Sequence, residues 1–244
     1  MVRIGVLTIV LSLIFSHSAQ SQTRFHAQVE VEYEKTLNAK SAYKAAMGDW
    51  FDQVKDHIPN QIITYHRFIG DTSQSVYGPG RETSKQSGYW SEPIADKNLV
   101  YANYKNQQMM AQKPVFEEVF LVADSLPRIS WKLTADTRTI AGYECRKAVG
   151  ILDDTVAVFA FYTDEILIPG GPESIHGLPG LILGMGVPRA NTTWFATRVL
   201  VNGVNLKDVV PPKKGKKTTR QEMTRLLGEV MRQWGTCGSR MIVH

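Results

Sequence analysis

The sequence predicts a mainly β fold of the α+β class: a strongly curved antiparallel sheet, or half-open barrel, with a C-terminal helix packed against it. Three observations predict this fold. Apolar and polar residues alternate from Phe25 to Tyr33, as in a strand with one solvated face. Turn residues interrupt later apolar runs about every ten positions, which is typical of antiparallel sheets. One apolar stripe near the end, within residues 219–234, has the period of a helix.

The first residues have the pattern of a secretory signal peptide. Arg3 precedes an apolar run from Ile4 to Phe15, and small and polar residues follow that run. The run is shorter than the roughly 20 residues that cross a bilayer, which favours a cleaved signal over a retained membrane helix. Cleavage after Ser21 places small residues at both recognition positions, and cleavage after Ala19 is the alternative. We therefore expect residues 1–21 to be removed.

The remaining residues, 22–244, are enough for one domain with an ordinary core, and we predict a single domain. We expect it in the periplasm or secreted, with no integral membrane span after signal removal. The formal net charge of the chain is +5, and its basic residues are concentrated in residues 207–220. Prolines and a glycine there indicate a solvated linker, with attraction to an anionic surface as the alternative. Nucleic acid is not expected as a partner, because no recognition motif occurs.

The secondary structure between the termini is predicted from local patterns. A short helix is expected over Ala42–Val54, which has apolar residues at helical spacing and precedes Pro59. Thr219 and Glu222 form a capping box at the start of the last helix, which Gly235 ends. We expect the apolar stripe of this helix to pack on the domain's own sheet; the alternative is that it binds a partner. The further candidate strands are Gln61–Phe68, Leu99–Tyr104, Gln107–Gln112, Phe116–Val122, Ile129–Thr134, Glu144–Val149, Val156–Thr163 and Thr192–Val201.

Two cysteines, Cys145 and Cys237, are present in a chain whose predicted compartment permits disulfides. One reading is a structural disulfide between them. The other is a free, buried Cys145 with an exposed Cys237. A thioredoxin-like redox role is disfavoured, because the chain has no Cys-x-x-Cys motif.

The middle of the chain contains several short motifs in a fixed order. They are Trp131 to Thr134, Ile140 to Ala148, Phe161 to Ile166, Gly171-Pro172 and the hexapeptide Gly177 to Ile182. This succession resembles the GLPGLI family of exported proteins of Bacteroidetes-type bacteria, which is named after the hexapeptide. The resemblance covers about residues 98–200. It implies an exported or periplasmic location, and it brings no established activity, ligand or catalytic residue.

The segment before the hexapeptide departs from that family. Glu173-Ser174-Ile175-His176 stands where other members often have an aromatic-rich stretch. If neighbours of the hexapeptide contact a ligand, this difference predicts a different ligand here.

The hexapeptide itself is interpreted first as a structural motif of Gly177, Pro179 and Gly180. Pro179 sets φ for the first central position of a type II turn, and Gly180 permits the positive φ of the second. The alternative is a turn that also lines a binding cleft. In that case we predict His176, Leu178 and Leu181 as the ligand-binding residues.

Motifs for catalysis and metal binding are absent from the sequence. It has no Gly-x-Ser-x-Gly and no His-Glu-x-x-His, so catalytic residues remain unknown, and neither a metal site nor a cofactor is expected. The histidines are scattered along the chain.

Two functional hypotheses follow. The first is an exported, non-catalytic cell-envelope protein that binds an apolar ligand or an envelope partner such as an outer-membrane protein. The alternative is an envelope hydrolase with a dispersed site near Asp164, Glu165 and His176, to which Cys145 is a further candidate. Clustering of these polar groups around a cleft would favour the enzyme, whereas a purely aliphatic and aromatic cleft would favour the binding protein.

Overall fold

The computed structural model describes residues 25–82, 94–115 and 117–226. In this part of the chain the protein is mainly β, as predicted, with twelve strands in one sheet. The strands are β1 Gln28–Asn38, β2 Gln61–Asp71, β3 Gln74–Pro79, β4 Leu99–Asn103, β5 Gln108–Val115, β6 Glu118–Ser125, β7 Ile129–Ile140, β8 Tyr143–Leu152, β9 Val156–Thr163, β10 Leu181–Val187, β11 Thr192–Leu200 and β12 Lys216–Thr218. The predicted signal peptide, residues 1–21, lies outside the described residues.

The sheet is open, with strand order β12-β6-β5-β4-β3-β2-β1-β11-β10-β9-β8-β7. Neighbouring strands pair antiparallel, as predicted, except that β12 pairs parallel to β6. β12 and β7 form the two edges. The segment predicted as a solvated basic linker thus contains a short edge strand, although its lysines 213, 214, 216 and 217 are exposed.

The sheet buries one face in a large apolar core. In β1, Val29, Val31 and Tyr33 are fully buried, while the residues between them are half-buried, which is the predicted alternation. The Tyr33 hydroxyl donates to the carbonyl oxygen of Ile182 on β10 at 2.5 Å. Register irregularities in the β1–β11, β9–β10 and β7–β8 pairs mark bulges, which bend strands and increase their twist.

The predicted helix Ala42–Val54 is present but interrupted. It consists of α1 Ala39–Met47, a 3₁₀ turn and α2 Phe51–Val54. The side chain of Asn38 caps α1 by accepting from Ser41 N at 3.1 Å. The helix α1 ends at Gly48, whose φ is +58°. Residues with a side chain rarely adopt this backbone conformation, so glycine is favoured here.

The C-terminal helix begins as predicted. Residues 220–226 are helical, and Thr219 Oγ1 accepts from Glu222 N at 3.2 Å. Met223 is buried in the main core, so the described turn of this helix packs against the sheet. The rest of the predicted helix, to Trp234, lies outside the described residues. Among those described, no helix is long and apolar enough to cross a membrane.

Candidate functional site

A cavity of about 490 Å³ lies against the buried face of the sheet. Strands β1, β4, β5 and β6 contribute to one side of its lining, and β8, β9, β10 and β11 contribute to the other. Because β6 and β8 lie near opposite ends of the strand order, strands from both halves of the sheet line the cavity. The residues that close it come from the 173–175 turn and from the helical segment 220–226.

Most of the cavity wall is apolar. Its aliphatic and methionine side chains come from many strands: Leu37, Val100, Met109, Val122, Leu152, Val156, Met185 and Val187. Trp194 adds an aromatic surface, and its Nε1 donates to the hydroxyl of the buried Tyr77 at 3.0 Å. The volume and the apolar lining are those of small-molecule binding sites in proteins.

Charged side chains interrupt this apolar wall. Lys35, Lys113, Glu173 and Arg220 all line the cavity. Lys35 Nζ forms an ion pair at 2.5 Å with the buried Asp96. The cavity is therefore neither purely apolar nor built from the polar groups that the sequence suggested.

Glu173 lies in a strained turn at the edge of the cavity. Its φ is +57°, a left-handed conformation that costs a non-glycine residue about 1–2 kcal/mol. The turn is closed by a hydrogen bond from Ile175 N to the Pro172 carbonyl oxygen at 3.2 Å. The side chain is 19% exposed, and the nearest cation is Lys35, whose Nζ lies 3.9 Å from Glu173 Oε1. Burial raises the pKa of this carboxyl, although Lys35 and Lys113 oppose the rise.

The pKa of Lys113, on β5, is shifted in the opposite direction. Burial lowers the pKa of its ammonium, and the nearby Glu173 opposes that fall. Within the described part of the chain, neither the Lys113 ammonium nor the Glu173 carboxylate has a hydrogen-bond partner. Arg220, by contrast, forms ion pairs with Asp124 at 3.5 Å and Asp153 at 3.2 Å.

A buried polar network extends from Lys35 into the core. Asp96 accepts from Thr64 Oγ1 at 2.8 Å, and Thr64 Oγ1 lies 3.1 Å from His66 Nε2. Because the threonine proton is used on Asp96, Nε2 of His66 is the donor to Thr64. Burial lowers the pKa of His66 to about 4, with Lys35 contributing. The network holds Lys35 in place at the cavity wall.

The three predicted ligand-binding residues do not line this cavity. Leu178 and Leu181 are 2% and 0% exposed and belong to the main core. The ring of His176 stacks against Tyr104, with centroids 6.5 Å apart, and its Nδ1 lies 3.2 Å from the Ser174 carbonyl oxygen. Burial lowers the pKa of His176. Their contact with a ligand stays a prediction.

The hexapeptide has a structural role, but its glycines are required for reasons that differ from the predicted ones. The positive φ belongs to Gly177, at +93°, and not to Gly180. Gly180 is required by close approach, because a Cβ there would overlap the Thr163 carbonyl group, 2.7 Å from its carbon. The prediction of a type II turn centred on Pro179 and Gly180 is therefore wrong.

The backbone of the hexapeptide holds the loop that carries Glu173. Gly177 N donates to Pro169 O at 2.9 Å, and Leu181 N donates to Ile166 O at 3.0 Å. Ile182 N donates to Gly170 O at 2.9 Å. Because these bonds tie both ends of the loop together, they position the 173–175 turn at the cavity.

The four candidate catalytic groups do not assemble at the cavity either. Asp164 forms an exposed ion pair with Arg146 at 3.4 Å, and Glu165 accepts from His26 N through its backbone. Cys145 is buried and forms no disulfide among the described residues, and burial raises the pKa of its thiol to about 12. Cys237 lies outside the described residues, so its pairing with Cys145 stays a prediction. In the part of the chain that is described, no three histidine, cysteine or acidic side chains group as a metal site.

The charged cavity residues were missed, although the sequence contains a signal for two of them. Lys35 continues the alternation of Val31 and Tyr33, so it points to the buried face. Lys113 continues the alternation of Met109 and Ala111 in the same way on β5. A lysine in phase with buried residues is a candidate functional group, because burial of an ammonium is costly.

Comparisons with known proteins gave one family. A family model described as "N-glycanase peptide, N-terminal domain" matches residues 88–223. Two solved structures of PNGF-II, in different space groups, are similar: one at 18% identity over 79% of this chain with TM-score 0.48, the other at 17% over 82% with TM-score 0.49. This chain spans 32% of the length of each, about a third. No curated protein matches the sequence.

Proposed function

We propose, on the premise that this chain belongs to the family of the N-glycanase peptide N-terminal domain, that it is an exported, non-catalytic binding protein of the cell envelope. Its ligand occupies the cavity enclosed by the curved sheet, which acts as a half-open barrel. The family is named for a domain of an N-glycanase and not for the whole enzyme. The proposal accordingly assigns binding, rather than glycan cleavage, to this chain.

The observation that carries the proposal is the cavity of about 490 Å³ with an apolar wall and a few charged groups. Such a wall favours a ligand with an apolar body, and the charged groups favour a polar group on that body. The ligand is thus amphipathic rather than purely apolar.

Export is part of the proposal. The signal-like N-terminus and the resemblance to the GLPGLI family both support a periplasmic or secreted location. The exposed lysines near β12 provide a basic surface for an anionic envelope component.

The test is native mass spectrometry of the protein purified from its own envelope fraction. We expect a bound small molecule in the wild type, which should be lost in Val156→Trp because the indole fills the cavity. Val210→Trp, at an exposed position, is the matched control and should retain the ligand. A ligand that persists in a folded Val156→Trp protein, or a wild type without any ligand, would refute the proposal.

A hydrolase is the second candidate, because a carboxyl with a raised pKa lies beside lysines in a cavity. In that reading Glu173 is a general acid, and the dispersed Asp164, Glu165 and His176 are not the site. The test is incubation of the whole protein with an N-glycopeptide, followed by mass analysis of the released glycan. Release by the wild type that is lost in Glu173→Gln would replace the binding proposal with the enzyme.

A further inference from the structure

We propose that the head group of the ligand is an uncharged hydroxyl, which donates a hydrogen bond to Glu173 and accepts one from Lys113, while its apolar body lies against the aliphatic wall and Trp194. The ligand class is an alcohol with a hydrocarbon body, such as a long-chain alcohol. This inference rests on the proposed binding function and names the chemistry of that site.

Two charged groups of the cavity lack hydrogen-bond partners in the part of the chain that the structure describes. Lys35 is paired with Asp96 at 2.5 Å, and Arg220 is paired with Asp153 at 3.2 Å. Among the described residues, Lys113 and Glu173 are the two lining charges left without a hydrogen bond, although Glu173 Oε1 also forms a longer ion pair with Lys35 Nζ at 3.9 Å. A buried charge without a hydrogen bond is costly, so a ligand that satisfies both groups gains their full interaction.

The charges of these two groups restrict the net charge of the head group. Lys113 and Glu173 line the same cavity and form no direct ion pair with each other. Each of them influences the pKa of the other. Their formal charges cancel. A charged head group would therefore bring an uncompensated charge into a largely apolar cavity, which is strongly disfavoured.

The head group must also be able to hydrogen-bond with both Lys113 and Glu173. A carboxylate only accepts, so it would satisfy Lys113 but face the carboxylate of Glu173. An ammonium only donates, so it would satisfy Glu173 but face Lys113 and Lys35. A hydroxyl has one donor and two acceptor sites, and it satisfies both groups at once.

The strained backbone at Glu173 supports a role for this residue in the site. A non-glycine residue at φ +57° persists where the surroundings impose it, and such outliers concentrate at functional sites. The hexapeptide hydrogen bonds supply that constraint, because they tie the ends of the loop that carries Glu173. The loop thereby holds the carboxylate at the cavity before a ligand arrives.

The test uses three ligands that share one octyl chain: 1-octanol, octanoate and octylamine. Titration calorimetry with the whole protein at neutral pH should give the tightest binding for 1-octanol. Lys113→Met should weaken 1-octanol by about tenfold or more, and it should shift the preference towards octylamine. Glu173→Gln should weaken 1-octanol similarly and shift the preference towards octanoate. Lys132→Met and Glu117→Gln, at exposed positions outside the cavity lining, should leave all three affinities unchanged.

The outcomes separate this inference from the function on which it rests. If octanoate or octylamine binds the wild type as tightly as 1-octanol, the hydroxyl assignment is overturned, while binding in the cavity stands. If none of the three binds, the hydroxyl assignment and the amphipathic ligand are both overturned. The wild-type ranking requires no variant, so it decides the matter even where a substituted protein fails to fold.

Discussion

Acidification should destabilise this protein through His66, whose side chain is buried beside Lys35 and Asp96. The histidine has a pKa of about 4 in the folded protein, against an ordinary value of 6.5 in the unfolded chain. As the pH falls, the unfolded state therefore takes up the proton first. The stability that His66 confers is present above pH 6.5 and is lost as the pH falls towards 4. A difference of about 2.5 pH units, at about 1.4 kcal/mol each, amounts to about 3 kcal/mol.

The measurement is urea unfolding at a series of pH values from about 7 to 4, for the wild type and for His66→Gln. The variant cannot titrate at this position, so its stability should fall less over the same range by about 3 kcal/mol. Carboxyl groups elsewhere titrate in both proteins and cancel in the difference. His57→Gln, which changes an exposed histidine, should keep the wild-type pH dependence. Parallel pH profiles for the wild type and His66→Gln would show that His66 titrates normally, and the argument from burial would fail.

Three further predictions concern the hexapeptide, the strained turn and export. Gly180→Ala should destabilise the protein by roughly 1–3 kcal/mol, because its Cβ meets the Thr163 carbonyl group, and an unchanged thermal midpoint would contradict this. Glu173→Gly should raise the free energy of unfolding in urea by roughly 1 kcal/mol, because glycine adopts φ +57° without strain, and it should abolish ligand binding, because the carboxylate is removed. A loss of stability would mean that contacts of the carboxylate outweigh the strain. N-terminal sequencing of the exported protein should begin at or near Gln22, and an intact amino terminus in the membrane fraction would refute cleavage.

Strands with one buried face were predictable from the sequence, and strands buried on both faces were harder to assign. β1 alternates buried and half-buried residues over most of its length, which is why its pattern was readable. β3, Gln74–Pro79, has four consecutive buried residues and was missed. β10, Leu181–Val187, is buried throughout, so its residues do not alternate between a buried and an exposed face. A continuous apolar run has no period from which to recognise a strand.

Only a few features of the candidate site could be predicted from the sequence. The phase of β1 and β5 directs Lys35 and Lys113 to the buried face, but phase says nothing about which buried residues share a cavity. Glu173 was noticed only as a departure from a family pattern. Its role depends on a backbone conformation that no rule for glutamate predicts, because left-handed φ is rare for this residue.

Local properties of this chain follow from the sequence, because they depend on residues a few positions apart. Among them are the alternation of β1 and the Thr219 cap of the last helix. The reason for glycine at residue 180, a close approach to Thr163, could not be predicted, since it depends on a strand from another part of the chain. The same holds for the order of the twelve strands and for the cavity that unites Lys113 with Glu173. Such contacts form only when the whole sheet has paired and curled, because long-range pairing, and not local propensity, brings these groups together.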